Sequence, residues 1–146
     1  MGDSYTTIGW REMVRLPELE IAPFRVKIDT GARTSAIHAH DVKPIDIDGR
    51  KLVEFTLSCS ASDTDRRHVL PVHAVRSVKN SGGEVRPRFS IVTVAVLGDH
   101  RWPIELTLAD RTTMKYDMIL GRRAMRDRKL LVDPGRSYLL GSPDDP

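Results

Sequence analysis

The segment KIDTGARTSAIHAH, Lys27 to His40, sets an aspartate at the end of a short alternating run and follows it with Thr30, Gly31 and Ala32. That order of residues has a definite chemical use. Glycine lets the backbone turn tightly and approach a neighbouring loop with no Cβ in the way. Threonine can bond through its hydroxyl to the backbone of that loop. The Asp29 carboxylate is then held at the floor of a cleft. Amide hydrolysis by carboxyl groups needs two of them sharing one proton: the ionised one takes a proton from water while the protonated one donates to the substrate carbonyl. The chain holds one Asp-Thr-Gly and no second copy in Asp-Thr-Gly or Asp-Ser-Gly form. The missing carboxyl must come from another copy of the chain, and a two-fold axis supplies it without extra sequence. Asp29, Thr30 and Gly31 are therefore the expected catalytic loop, with Thr30 and Gly31 bracing two loops across the axis.

The elements that must position this loop read as mostly β. Runs rich in Val, Ile, Leu and Thr, broken by Gly, Pro, Asn and Asp, predict strands near Thr7–Leu16, Phe24–Ile28, Lys51–Cys59, Val69–Val78, Arg88–Leu97, Trp102–Leu108, Asp117–Leu120, Leu130–Val132 and Tyr138–Leu140. DIDGRKL carries an Asp-Gly turn between two strands, and KNSGGEV reads as the tip of a long projecting hairpin, Val69–Leu97. Only Arg122–Lys129 reads as a helix, with Ala124 and Met125 inward. At 146 residues the chain is expected to be a single domain, 1–146, with 1–5 and 141–146 loosely held.

IDTGA followed about ninety residues on by MILGRRAM resembles the retropepsin pattern, in which an Asp-Thr-Gly-Ala loop lies beside an apolar strand leading into Gly-Arg and a short helix. More specifically, GWREMVRLPEL, KIDTGARTSAIHA, PIELTLADR and ILGRRAMRDRKLLVDP together resemble a bacterial retropepsin-like group labelled ATP-dependent zinc proteases and associated with a ligase that adds glutamates to a ribosomal protein. The resemblance implies a single-lobe acid-protease barrel with a flap hairpin and one short helix, working as a homodimeric aspartic peptidase. The cofactors in that label find no support in the residues. There is no G-x-x-x-x-G-K-[ST] loop for phosphates and no H-E-x-x-H helix for zinc, so no cofactor and no metal is expected. His38 and His40 share a face beside Asp41, and a metal site there is outweighed by two ordinary histidines; Cys59 reads as a small core residue.

One departure from the family is informative. The position after Asp-Thr-Gly-Ala, usually acidic in the viral members and paired with the Gly-Arg arginine, is Arg33 here, while Arg122 keeps the Gly-Arg position. Two guanidinium groups beside the cleft would repel, so an acidic group should lie between them: Asp110, Asp117 or a substrate carboxylate. Arginine suits a carboxylate through two parallel hydrogen bonds. Lys79, Arg86 and Arg88 flank the hairpin tip, with Arg76 nearby. Arg33, Arg122, Lys79, Arg86 and Arg88 are thus the expected substrate-binding residues, and the expected substrate is an acidic peptide or a glutamate-tailed protein. The bland readings are a solvated hairpin face or protection against strand aggregation for the flap cations, and for Arg122 a stitch from helix to core.

The alternative function is a module of the same fold that binds acidic tails without cutting them. Nucleic-acid binding ranks last, since the net charge is only +3 and eight aromatic residues offer no stacking platform. No apolar run approaches the ~20 residues that cross a bilayer, the start shows no signal peptide, and the single cysteine precludes an internal disulfide. A cytoplasmic location without membrane contact is expected.

Overall fold

A computed structural model describes residues 4–58, 66–79 and 82–141. Its strands are β1 (Thr6–Gly9), β2 (Arg11–Val14), β3 (Phe24–Ile28), β4 (Ser35–His38), β5 (His40–Ile47), β6 (Arg50–Leu57), β7 (Arg66–Pro71), β8 (Ala74–Lys79), β9 (Val85–Leu97), β10 (His100–Ala109), β11 (Met118–Leu120) and β12 (Leu130–Asp133). A 3-10 turn covers Pro17–Leu19, and helix α1 covers Arg122–Asp127. The mostly β expectation holds. Cys59 lies outside the described residues.

Seven strands form one sheet in the order β2-β3-β11-β4-β10-β9-β8. The sheet curls, because Arg15, just beyond β2, makes an antiparallel bridge with Val96 of β9. That bridge brings six of the seven strands most of the way round, short of a continuous closed barrel. Alternation places the core: in β3, Phe24, Val26 and Ile28 are buried while Arg25 and Lys27 are exposed. Ile37, Leu106, Met118 and Leu120 join them from neighbouring strands, and Val53, Phe55 and Leu57 cover the core from the separate β5-β6-β7 sheet.

The expected hairpin Val69–Leu97 is corrected. Its first arm divides at Val72–His73: β7 pairs with β6, and only β8 pairs with β9, from Ala74↔Ser90 to Lys79↔Val85. The burial of β9 shows why. Val85–Arg88 are exposed, whereas the far half packs in the core and pairs with β10. The outer half of one thirteen-residue strand therefore carries β8 beyond the body as a two-stranded arm.

The expected strand Thr7–Leu16 is broken at Trp10, and Tyr138–Leu140 is not a strand. Buried Glu12 replaces a ladder there. Its carboxylate accepts the N–H groups of Gly9 (2.7 Å), Leu139 (2.9 Å) and Leu140 (3.1 Å). Residues 6–20 are stitched in by β1 pairing with β12, β2 with β3, and Glu18 accepting the Val94 N–H at 2.9 Å.

Candidate active site

The topology explains why Asp29 sits where it does. β11 lies between β3 and β4, parallel to the first and antiparallel to the second. The chain leaving β3 must cross the end of β11 before it can enter β4. Residues 29–34 make that crossing, and Gly121 lies beneath it. A Cβ on Gly121 would come within 2.5 Å of the Thr34 backbone, so only glycine admits the crossing. The buried Gly121 N–H donates to Ser35 Oγ at 3.0 Å.

Asp29 is half-buried at the end of β3. Its N–H donates to Leu120 O at 2.9 Å, and its Oδ1 accepts the Gly31 N–H at 3.0 Å. The carboxylate is thereby oriented by its own loop. Ala32 O accepts the Arg122 N–H at 2.8 Å, and Arg33 O accepts the Arg123 N–H at 3.2 Å. Arg122 Nη1 reaches over the loop and donates to the carbonyls of Thr30 (3.2 Å) and Gly31 (3.1 Å). Those contacts favour the stitching role for Arg122 and place its charge close to the Asp29 loop. The Thr30 hydroxyl makes no hydrogen bond within the described residues, and Thr30 and Gly31 are both exposed.

The predicted cations divide. Arg76 and Arg88 stand opposite each other across the arm, and alternation puts Arg86 on the same face. Arg86 also pairs with Glu84 at 3.1 Å. Lys79 stands opposite Val85, on the other face of the arm from Arg86 and Arg88. Arg33 is exposed on the Asp29 loop. No acidic side chain among the described residues forms an ion pair with Arg33 or Arg122. Asp110, one expected bridge, instead accepts the Thr112 N–H (3.0 Å) and hydroxyl (2.6 Å), which hold its carboxyl below the ordinary range. Asp117, the other, acts on Arg111.

Two cavities lie along the arm, and the smaller reaches the Asp29 loop at Ala32 and Thr34. The smaller, about 360 Å³, is bounded by Ala32, Thr34, Arg76, Arg88 and Arg111. The larger, about 750 Å³, lies between β5 and the base of the arm and includes His40, Arg86, Arg88 and Phe89. Arg88 and Asp110 border both, which makes them one groove. Arg76 is fixed by Glu105 at 2.6 Å, and Ser90 donates to the same carboxylate at 2.8 Å. The Arg76 bond, followed by the Ser90 bond, depresses the Glu105 pKa against the opposing effect of burial. Arg111, which the sequence reading did not single out, is the groove's remaining cation. Its one signal was an arginine directly after the apolar stretch PIELTLAD. His38 Nδ1 accepts the Arg111 N–H at 2.8 Å, and His40 contacts Asp41 and Ser58 at 3.1 Å each. Among the described residues no three His, Cys, Asp or Glu side chains converge to hold a metal, and no helix is long and apolar enough to cross a membrane.

An Asp-Thr-Gly-Ala loop crossing over a Gly-Arg helix start, together with a projecting β arm, defines the single-lobe architecture of retropepsin-like proteins. Residues 7–143 match the family described as RimB-like, "Retropepsin-like aspartic endopeptidase RimB", and the chain belongs to that family. A probable alpha-L-glutamate ligase of Shewanella halifaxensis is 38% identical over 149 residues, covering 99% of this chain and 32% of that protein. A protein of the same name from Desulfotalea psychrophila is 41% identical over 138 residues, 92% of this chain and 29% of its own length. The chain thus spans about a third of the curated relatives it matches. The crystal structure of Lpg0085, a Legionella pneumophila protein of unknown function, superposes with a TM-score of 0.76 at 25% identity, over 92% of this chain and 98% of that one.

Proposed function

We propose that this chain is one half of a homodimeric aspartic peptidase that hydrolyses amide bonds in acidic, glutamate-rich peptide tails. The observation that carries this reading is the Asp29 carboxylate, oriented by its own loop, whose Ala32 and Thr34 border a groove shared with Arg76, Arg88 and Arg111. One Asp29 binds water and removes its proton. The Asp29 of a second copy, protonated, donates to the scissile carbonyl. The two carboxyls share one proton, which the reaction needs in place. Arg33 and the arm's cations draw in the acidic chain, and the arm closes over it to exclude water. The ligase name of the relatives supports glutamate tails as the substrate class.

The same name favours a second reading. A segment making up a third of a ligase could hold an acidic tail without cutting it. One experiment separates the two. Purified protein is incubated with a poly-glutamate peptide from acidic to neutral pH, and the peptide mass is followed. The peptidase reading expects shortened products from the native chain and none from Asp29→Asn. Full activity in Asp29→Asn refutes the assignment, and binding with unchanged mass establishes the second reading.

A further inference from the structure

We propose that the smaller cavity beside the Asp29 loop receives one carboxylate, and that Arg111 selects a glutamate side chain next to the bond that is cut. The cleavage half of this inference rests on the peptidase reading; the carboxylate pocket does not.

Arg111 follows the end of β10, which runs parallel to β4 and so places it beside His38 at the far end of that strand, and it borders the same cavity as Ala32 and Thr34 of the Asp29 loop. It is half-buried and doubly anchored: its N–H donates to His38 Nδ1 at 2.8 Å and its Nε to Tyr116 O at 3.1 Å. Among the described residues its terminal nitrogens have neither a hydrogen bond nor an ion pair. A guanidinium held by its near end, with its far end uncommitted, is arranged to grip a planar carboxylate. Burial lowers the Arg111 pKa, while the fields of Asp117 and Asp29 raise it. The cavity that Arg111 borders is also lined by Ala32 and Thr34, three and five residues beyond Asp29, which ties a group held there to the catalytic loop.

The rest of the lining agrees. Of three bordering arginines, Arg76 is neutralised by Glu105, while Arg88 and Arg111 form no ion pair among the described residues. The one bordering carboxylate, Asp110, spends an oxygen on Thr112. Ala32, Met114 and Ile119 supply apolar walls for the methylenes of a glutamate. At about 360 Å³ the cavity is at the small end of ligand sites, which run from roughly 300 to 1,000 Å³. Glutamine has the same shape without the charge, so it discriminates charge recognition from size.

The test uses a glutamate-extended peptide and the same peptide with one Gln placed in turn at each position flanking the scissile bond. At one position Gln should lower kcat/KM in the native protein by at least ~10-fold. Arg111→Met should lower kcat/KM for the all-glutamate peptide by roughly 100-fold and for that Gln peptide by less than ~3-fold, with Arg111→Lys restoring part of the loss. Equal losses for both peptides would overturn the assignment. Binding of the same peptides to Asp29→Asn protein, with and without Arg111→Met, gives a readout free of catalysis. If the native protein cuts neither peptide, the peptidase reading fails, and this binding arm still decides the pocket. Loss of affinity confined to the glutamate peptide supports it, and equal affinity for both peptides refutes it. Should Arg111→Met fail to fold, Arg111→Gln takes its place in both arms.

Discussion

At the scale of single residues, two carboxylates carry opposite duties. Asp29 is half-exposed, and one of its oxygens is committed to Gly31. Asp29→Asn keeps the shape and that hydrogen bond but removes the ionisable group. It should leave the thermal unfolding midpoint nearly unchanged and lower hydrolysis by at least ~1,000-fold, measured on a glutamate peptide. Glu12 is fully buried, and its charge is spent on three backbone N–H groups from both ends of the chain. Removing the acceptor strands the buried Gly9 N–H and the part-buried N–H groups of Leu139 and Leu140. Glu12→Ala should cost about 3–5 kcal/mol in urea unfolding; a cost under ~1 kcal/mol would show that the clamp does little. The place of the Asp29 loop at the end of a strand was legible because its signal, an alternating run ending in Asp-Thr-Gly-Ala, is written in adjacent residues. Glu12 and Arg111 were not, because their partners lie far along the chain. Nothing near Glu12 in GWREMV marks it as buried rather than as one more surface acid.

At the scale of elements, the decisive contact is the crossing of residues 29–34 over Gly121. An added methyl at Gly121 meets backbone rather than a movable side chain. Gly121→Ala should cost at least ~2 kcal/mol of stability and displace Arg122 from the Thr30 and Gly31 carbonyls, so activity falls even at temperatures where the protein stays folded. Unfolding curves and kcat/KM measured together would check both. The β5-β6-β7 sheet offers a pH test. His68 stacks on Phe55 with ring centroids 5.4 Å apart, and its buried Nε2 has no hydrogen-bond partner among the described residues. Burial, chiefly, lowers its pKa from the ordinary 6.5. As pH falls through 6.5, the unfolded chain takes up a proton before the folded one does. Stability from this group is therefore present above 6.5 and declines as pH drops toward the lower folded value. His68→Leu should flatten the pH dependence of unfolding in that window; an unchanged slope would assign it elsewhere. The sequence made Phe24–Ile28 and the helix start at Arg122 readable, since alternation and the glycine before the helix are local signals. It misplaced the hairpin because β7 and β8 form one nearly continuous β-prone run. What separates them is which of two sheets each joins, a tertiary outcome.

At the scale of the whole molecule, the account stands on the chain's supplying only half of an active site. In that proposal, the exposed Thr30 hydroxyl, without a hydrogen bond among the described residues, and the exposed Gly31 are the surface offered to a two-fold copy. Mixing separates this arrangement from a self-sufficient protomer. Native chains are equilibrated with a ninefold excess of Asp29→Asn chains, and activity is measured per native chain on a glutamate peptide. If each active site needs one Asp29 from each of two copies, random pairing leaves about a tenth of the native chains in fully native dimers. Activity per native chain should then fall to about a tenth, and should recover when the excess is omitted. Activity per native chain that stays constant across all mixing ratios would contradict the shared dyad.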